Sequence, residues 1–295
     1  MFPLAADNER GLQSVPWVAL LFFAGYLAVM LTYQQGEQEK EQELAQWYLS
    51  STLYELEYPN YISFLRISAR IKLAEELEAA HQAGDTLTVI RAMAFDPLFE
   101  QENLESGTRY WNFNQRNRWL TERDNFKVRA DAIPRYRFGL VPSAPRPATY
   151  LTWHFLHDSL TQLLITVLVA LLFLWPTEAK LGHRRMIIVW MFGGVITGMA
   201  YVALLGNSFI PMIGSTPMAG LVMGAYISLF GLSKLDFLYF NPKQKAFKVI
   251  SLPALVLVPL WFVLPLYEYM GGSLAPQVWI AQLAAVLAGA LVVQL

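Results

Sequence analysis

The chain contains no cysteine. That excludes a disulfide framework and any thiolate metal centre, although it does not identify the compartment. Histidine is scarce too: His81, His154, His157 and His183 are the whole complement, and they show no two-histidine-plus-carboxylate spacing of a metal site. No glycine-rich loop of the kind that cradles phosphate occurs. Neither a metal nor a cofactor is expected. Charge is nearly missing from the second half of the chain. Residues 34–150 carry 17 acidic and 14 basic side chains, and 14 − 17 gives a net of −3, an ordinary solvated surface with no nucleic-acid signature. From Leu151 onward the chain is mostly apolar.

Hydropathy and its interruptions give six candidate spans near the roughly 20 residues that a helix needs to cross hydrocarbon. They are Val15 to Tyr33, Leu151 to Trp175, Met186 to Leu205, Pro217 to Leu232, Phe247 to Tyr269 and Gln277 to Leu295. The fourth is short, so the preceding loop from Gly206 to Thr216 is expected to dip into the membrane under cover of protein. No small-x-small cleavage site follows the first span, which therefore reads as a retained anchor. Lys180, His183, Arg184 and Arg185 follow the second span, and Lys234, Lys243, Lys245 and Lys248 follow the fourth. Short basic loops stay in the cytoplasm. The expectation is a multi-pass protein of a bacterial inner membrane. Residues 1–33 form a cytoplasmic N-terminus and anchor, 34–150 an extracytoplasmic helical segment, and 151–295 the membrane core. Within 34–150, helices are expected at Glu37 to Glu57, at about Tyr61 to Ala83 with Gly84 as terminator, and at Thr86 to Phe95.

Three motifs carry a resemblance. Arg137-Phe138-Gly139-Leu140-Val141-Pro142, then Phe155-Leu156-His157, then Glu178-Ala179-Lys180-Leu181-Gly182 resemble the approach to the second helix of a rhomboid intramembrane protease and the E-x-x-x-G turn that ends it. The resemblance covers about half the chain. It implies an all-α, six-helix transmembrane bundle, with the helical segment inserted between helices 1 and 2. Its chemistry would be that of a serine–histidine dyad, in which a G-x-S-G serine opens the fourth helix and a histidine on the sixth takes its proton. A second histidine and an asparagine on the second helix help to stabilise the oxyanion.

This sequence departs from that pattern at each chemical position. Gly214 matches the first glycine, but Thr216 stands at the serine, Pro217 at the next glycine, Gln282 at the histidine base, and Gln162 and Thr166 at the oxyanion positions. An amide has no basicity near neutral pH, so Gln282 could not activate a hydroxyl. The packing residues match better: Gly220 and Gly224 on the fourth helix, Ala285 and Gly289 on the sixth, small enough for close approach.

The resemblance therefore implies a pseudoprotease that binds transmembrane segments of client proteins within the lipid bilayer, using a neutral cluster of Gln162, Thr166, Thr216 and Gln282. The same cluster could serve only to hold the bundle together. The alternative is an active rhomboid serine endopeptidase. It would draw on Ser215 in a shifted register, about 100° around the helix, or on His154 or His157 as a base. A transporter or channel is disfavoured, because Asp158 and Glu268 lie near helix ends.

Overall fold

The computed structural model describes residues 2–3, 15–157, 159–206, 208, 210–214, 216–231, 234–241, 246–253 and 276–294. The first helix, α1 (Trp17–Thr32), is apolar along its whole length and runs into a string of helices: α2 (Glu37–Ser50), α3 (Leu53–Ile67), α4 (Ile71–Gln82), α5 (Thr86–Ala94), α6 (Pro97–Ser106), α7 (Phe113–Asp131) and α8 (Pro134–Phe138). A strap containing the one-turn α9 (Thr149–Thr152) and a 3-10 turn at Trp153–Phe155 leads to α10 (Leu160–Leu181), α11 (His183–Leu204), α12 (Thr216–Phe230) and α13 (Pro276–Val292).

Local chemistry sets many of the boundaries. Asp85 and Asp96 cap α5 and α6, Asn112 and Gln115 form a reciprocal capping box on α7, and Ser159 caps α10. Pro97 sits at the first position of α6, where its missing N–H costs nothing. Gly84 takes a left-handed φ of 79° just beyond α4, as its place in the sequence suggests.

Two hydrophobic cores result. One gathers α1, α10, α11, α12, α13 and the strap around Tyr26, Trp153, Trp190, Leu221 and Met223. The other lies within α2 to α8, around Tyr48, Tyr61, Phe99, Trp119 and Phe126. At the centre of the first, every residue from Pro217 to Tyr226 on α12 is buried. The outward faces of its neighbours remain apolar and exposed, with Leu160, Leu164 and Leu168 on α10 and Leu283, Leu287 and Leu291 on α13 each recurring at four-residue intervals. Residues four apart share a helix face, and exposed apolar stripes of this kind mark surfaces that meet a membrane or another protein.

The six-helix, all-α expectation is overturned. Among the described residues only His183–Leu204 is a single helix long and apolar enough to cross a membrane, with up to three such spans if two bent pairs each count as one. The α12 and α13 helices are shorter, at 15 and 17 residues. The expected second span begins too early, since residues 151–157 form the strap rather than a helix start. The expected fifth span fails at its beginning. Phe247 to Pro253 belongs to β3 (Ala246–Pro253), which pairs antiparallel with β2 (Lys234–Asn241), and β2 in turn pairs with β1 (Phe2–Pro3). The rest of that span, from residue 254 on, lies outside the described residues. Hydropathy counts apolar residues without regard to period. Phe237, Tyr239, Phe247, Val249 and Ile250 are strand-forming types as well as apolar ones.

The outer segment differs in detail. The expected helix at Glu37 to Glu57 breaks at Ser51-Thr52, and Pro59 lies inside α3 rather than ending its predecessor. Pro59 lies beyond the first turn of α3, so it forgoes a hydrogen bond to the Glu55 carbonyl, and the helix continues past it all the same.

Candidate functional site

Gly214 ends the loop before α12 with a φ of 101°, a left-handed conformation that a side chain resists. Its N–H donates to the Trp153 carbonyl at 3.2 Å. A few residues upstream, Met212 and Leu140 exchange backbone hydrogen bonds of 2.8 and 3.1 Å, pinning this loop to the strap. Thr216 therefore begins α12 from a fixed platform.

The Thr216 hydroxyl lies 3.2 Å from the Thr166 hydroxyl on α10. Gln162, one turn before Thr166, presents its amide nitrogen 3.6 Å from where a Cβ on Gly214 would stand. Gln282 on α13 is only 1% exposed, and neither atom of its amide finds a hydrogen-bond partner among the described residues. Among the described residues no hydrogen bond ties Gln282 to the threonine pair. Ser215 lies outside the described residues, as do Asp158 and Glu268.

The two histidines near the site are held away from the helix to which they were assigned. His154 falls in the 3-10 turn, and its Nδ1 lies 3.0 Å from the Tyr26 hydroxyl, which accepts from Trp190 Nε1 at 3.1 Å. His157 has its backbone clamped by the side-chain amide of Gln34: Gln34 Nε2 donates to the His157 carbonyl at 2.8 Å, and the His157 N–H donates to Gln34 Oε1 at 2.9 Å. Of the other two histidines, the exposed His81 stacks on Tyr58 at 4.2 Å and pairs with the Tyr54 hydroxyl, while the part-exposed His183 has its Nδ1 2.7 Å from Glu178.

Below the site α12 and α13 meet at backbone distance. A Cβ on Gly224 would run into the carbonyl of Val286, and one on Gly289 into the carbonyl of Leu221. Gly220 is looser: a Cβ there would stand 3.1 Å from the Gln282 carbonyl, with Ala285 beside it. Gly193 on α11, which was not singled out from the sequence, leaves room for the Leu221 side chain.

Glu178 was read only as part of a turn motif, and the structure gives it a larger part. Its buried carboxylate accepts from the backbone N–H of Val18 at 2.8 Å and of Ala19 at 3.1 Å, closing the N-terminus of α1 from 159 residues away. The signal was present in the sequence, because Pro16 supplies no side-chain cap to α1. Only the long-range pairing was invisible.

A central short helix, buried from Pro217 to Tyr226 and surrounded by apolar helices with exposed apolar outer stripes, defines a membrane-associated helical bundle. The rhomboid-domain family model matches residues 145–295, just over half of the chain, and the protein belongs to the rhomboid family. No curated protein and no solved structure matches the chain significantly.

Proposed function

We propose that this rhomboid-family protein is a pseudoprotease that binds transmembrane segments of client proteins without cutting them, as a multi-pass protein with residues 34–150 outside the cytoplasm. The observation that carries the reading is the pairing of the Thr216 hydroxyl with another neutral hydroxyl, Thr166, rather than with a base. A hydroxyl at its free pKa is a poor nucleophile unless a neighbour accepts its proton. His154 is committed to Tyr26, and the amide of Gln282 has no basicity to offer. Pro217 further removes an N–H near where an oxyanion would need a donor.

The test is incubation of the purified protein with a fluorophosphonate probe and a rhomboid model substrate, beside an active rhomboid. No labelling and no cleavage are expected, and Thr216→Ala leaves client crosslinking intact. Restoring Thr216→Ser with Gln282→His still gives almost no cleavage, since even one missing oxyanion donor costs about a hundredfold to a thousandfold. Cleavage by the unmodified protein that disappears in Thr216→Ala, or on replacing His154 or His157, makes it an active serine endopeptidase instead.

A further inference from the structure

The exposed face of α1 leads to a cavity that the bundle does not use. Leu20, Ala24, Leu27, Ala28 and Leu31 are exposed in succession along the helix, and the row ends at Thr32 and Tyr33. Those two residues form one wall of a cavity of about 260 Å³, which Lys40, Arg137, Phe138 and Asp131 complete. Tyr33 meets Phe138 edge-on at 5.8 Å, and the Arg137 guanidinium lies 5.1 Å over the Phe138 ring. The carboxylate of Asp131 is engaged elsewhere, accepting from both terminal nitrogens of Arg146 at 3.1 Å. Lys40 and Arg137 make no ion pair among the described residues, so the cavity keeps two uncompensated cations.

Trp17 and Tyr33, exposed by 52% and 54%, stand at the two ends of α1. They are separated by about 24 Å at 1.5 Å per residue, and aromatic side chains in such positions mark the two interfaces of a bilayer. The cavity thus opens at headgroup depth, directly above an apolar track of acyl-chain character. Cations at that depth attract anionic lipid, and an arginine held over an aromatic ring presents a fixed fork of donors to a phosphate.

We infer that this cavity is a phospholipid site, with the headgroup phosphodiester between Lys40 and Arg137 and an acyl chain lying along Leu27 and Leu31. The inference uses none of the Thr216, Thr166 and Gln282 side chains and does not depend on whether the protein cuts its clients.

Native mass spectrometry of the full-length protein in neutral detergent tests it, titrating dioleoyl phosphatidylglycerol, dioleoylglycerol or inorganic phosphate. Phosphatidylglycerol is expected to bind in a one-to-one adduct that the phosphate-free dioleoylglycerol does not form and that millimolar inorganic phosphate does not displace. Lys40→Gln and Arg137→Gln, both at exposed side chains, each weaken that adduct about fivefold and together by roughly twentyfold or more. Lys40→Arg, which keeps the charge, retains it, whereas Arg137→Lys, which keeps the charge but loses the fork of donors, weakens it less than Arg137→Gln does. Equal binding by dioleoylglycerol reduces the contact to ordinary lipid around a helix, and displacement by inorganic phosphate makes it a site for free anions. Unchanged phosphatidylglycerol affinity in the single glutamine variants removes the two cations from the site. Each of these three results overturns the assignment.

Discussion

Glu57 is a carboxylate with no exposure at all, and its surroundings explain how the helical segment tolerates it. Trp119 Nε1 donates to it at 2.6 Å, Arg123 Nη1 at 3.4 Å, and the Tyr48 hydroxyl binds it as well. Burial works against the Arg123 charge, but Glu57 and its neighbours outweigh it and hold the guanidinium pKa above its usual value. Burial, then the charge of Glu57, keeps the Tyr48 hydroxyl protonated well above the ordinary tyrosine range. Replacing one partner strands the other. Arg123→Met should therefore destabilise the protein by about 3–5 kcal/mol, seen as faster amide exchange in α3 and α7. A loss below about 1 kcal/mol shows that Glu57 is neutralised some other way. None of this was legible from the sequence, where Glu57 and Arg123 look like two members of a solvated charge run. Only the fold brings positions 66 residues apart together.

Between elements, the contact of α12 with α13 leaves no room for a side chain at Gly224 or Gly289. Gly224→Val places a branched side chain against a backbone carbonyl, with an expected cost of at least about 1–3 kcal/mol in thermal unfolding in detergent. Gly220→Val, where the opposing carbonyl leaves more room, should cost less than Gly224→Val. Equal stability of all three proteins is incompatible with the contact. Small residues at four-residue spacing share a helix face, which is why Gly220 and Gly224 stand out in the sequence. The β2–β3 hairpin does not. Its aromatic and β-branched residues have the same hydropathy as a membrane helix, and nothing in that measure separates a period of 2 from one of 3.6. The break between α2 and α3 was hidden for a similar reason, since apolar spacing continues through Ser51 and Thr52.

For the whole molecule, the expected orientation is tested by single cysteines in a chain that has none of its own. Ser106→Cys, in the helical segment, should react with a membrane-impermeant maleimide added outside intact cells. Arg184→Cys, in the first turn of α11, should react only after permeabilisation. The reverse pattern inverts the orientation without touching the family assignment.

The fastening of α1 has a mechanical consequence. Glu178 grips its first turn, and Gln34, just past its end, grips His157 in the strap and also donates to Glu37 at 2.8 Å. Glu37 accepts from the Arg135 N–H at 2.8 Å, at the start of α8. The helix is thus a strut bolted at both ends, and the outer segment joins the bundle through a second hydrogen-bonded tie besides the chain itself. A load on the outer helices passes through Gln34 to His157, and along the strap to the loop that carries Gly214, rather than being dissipated in a slack linker.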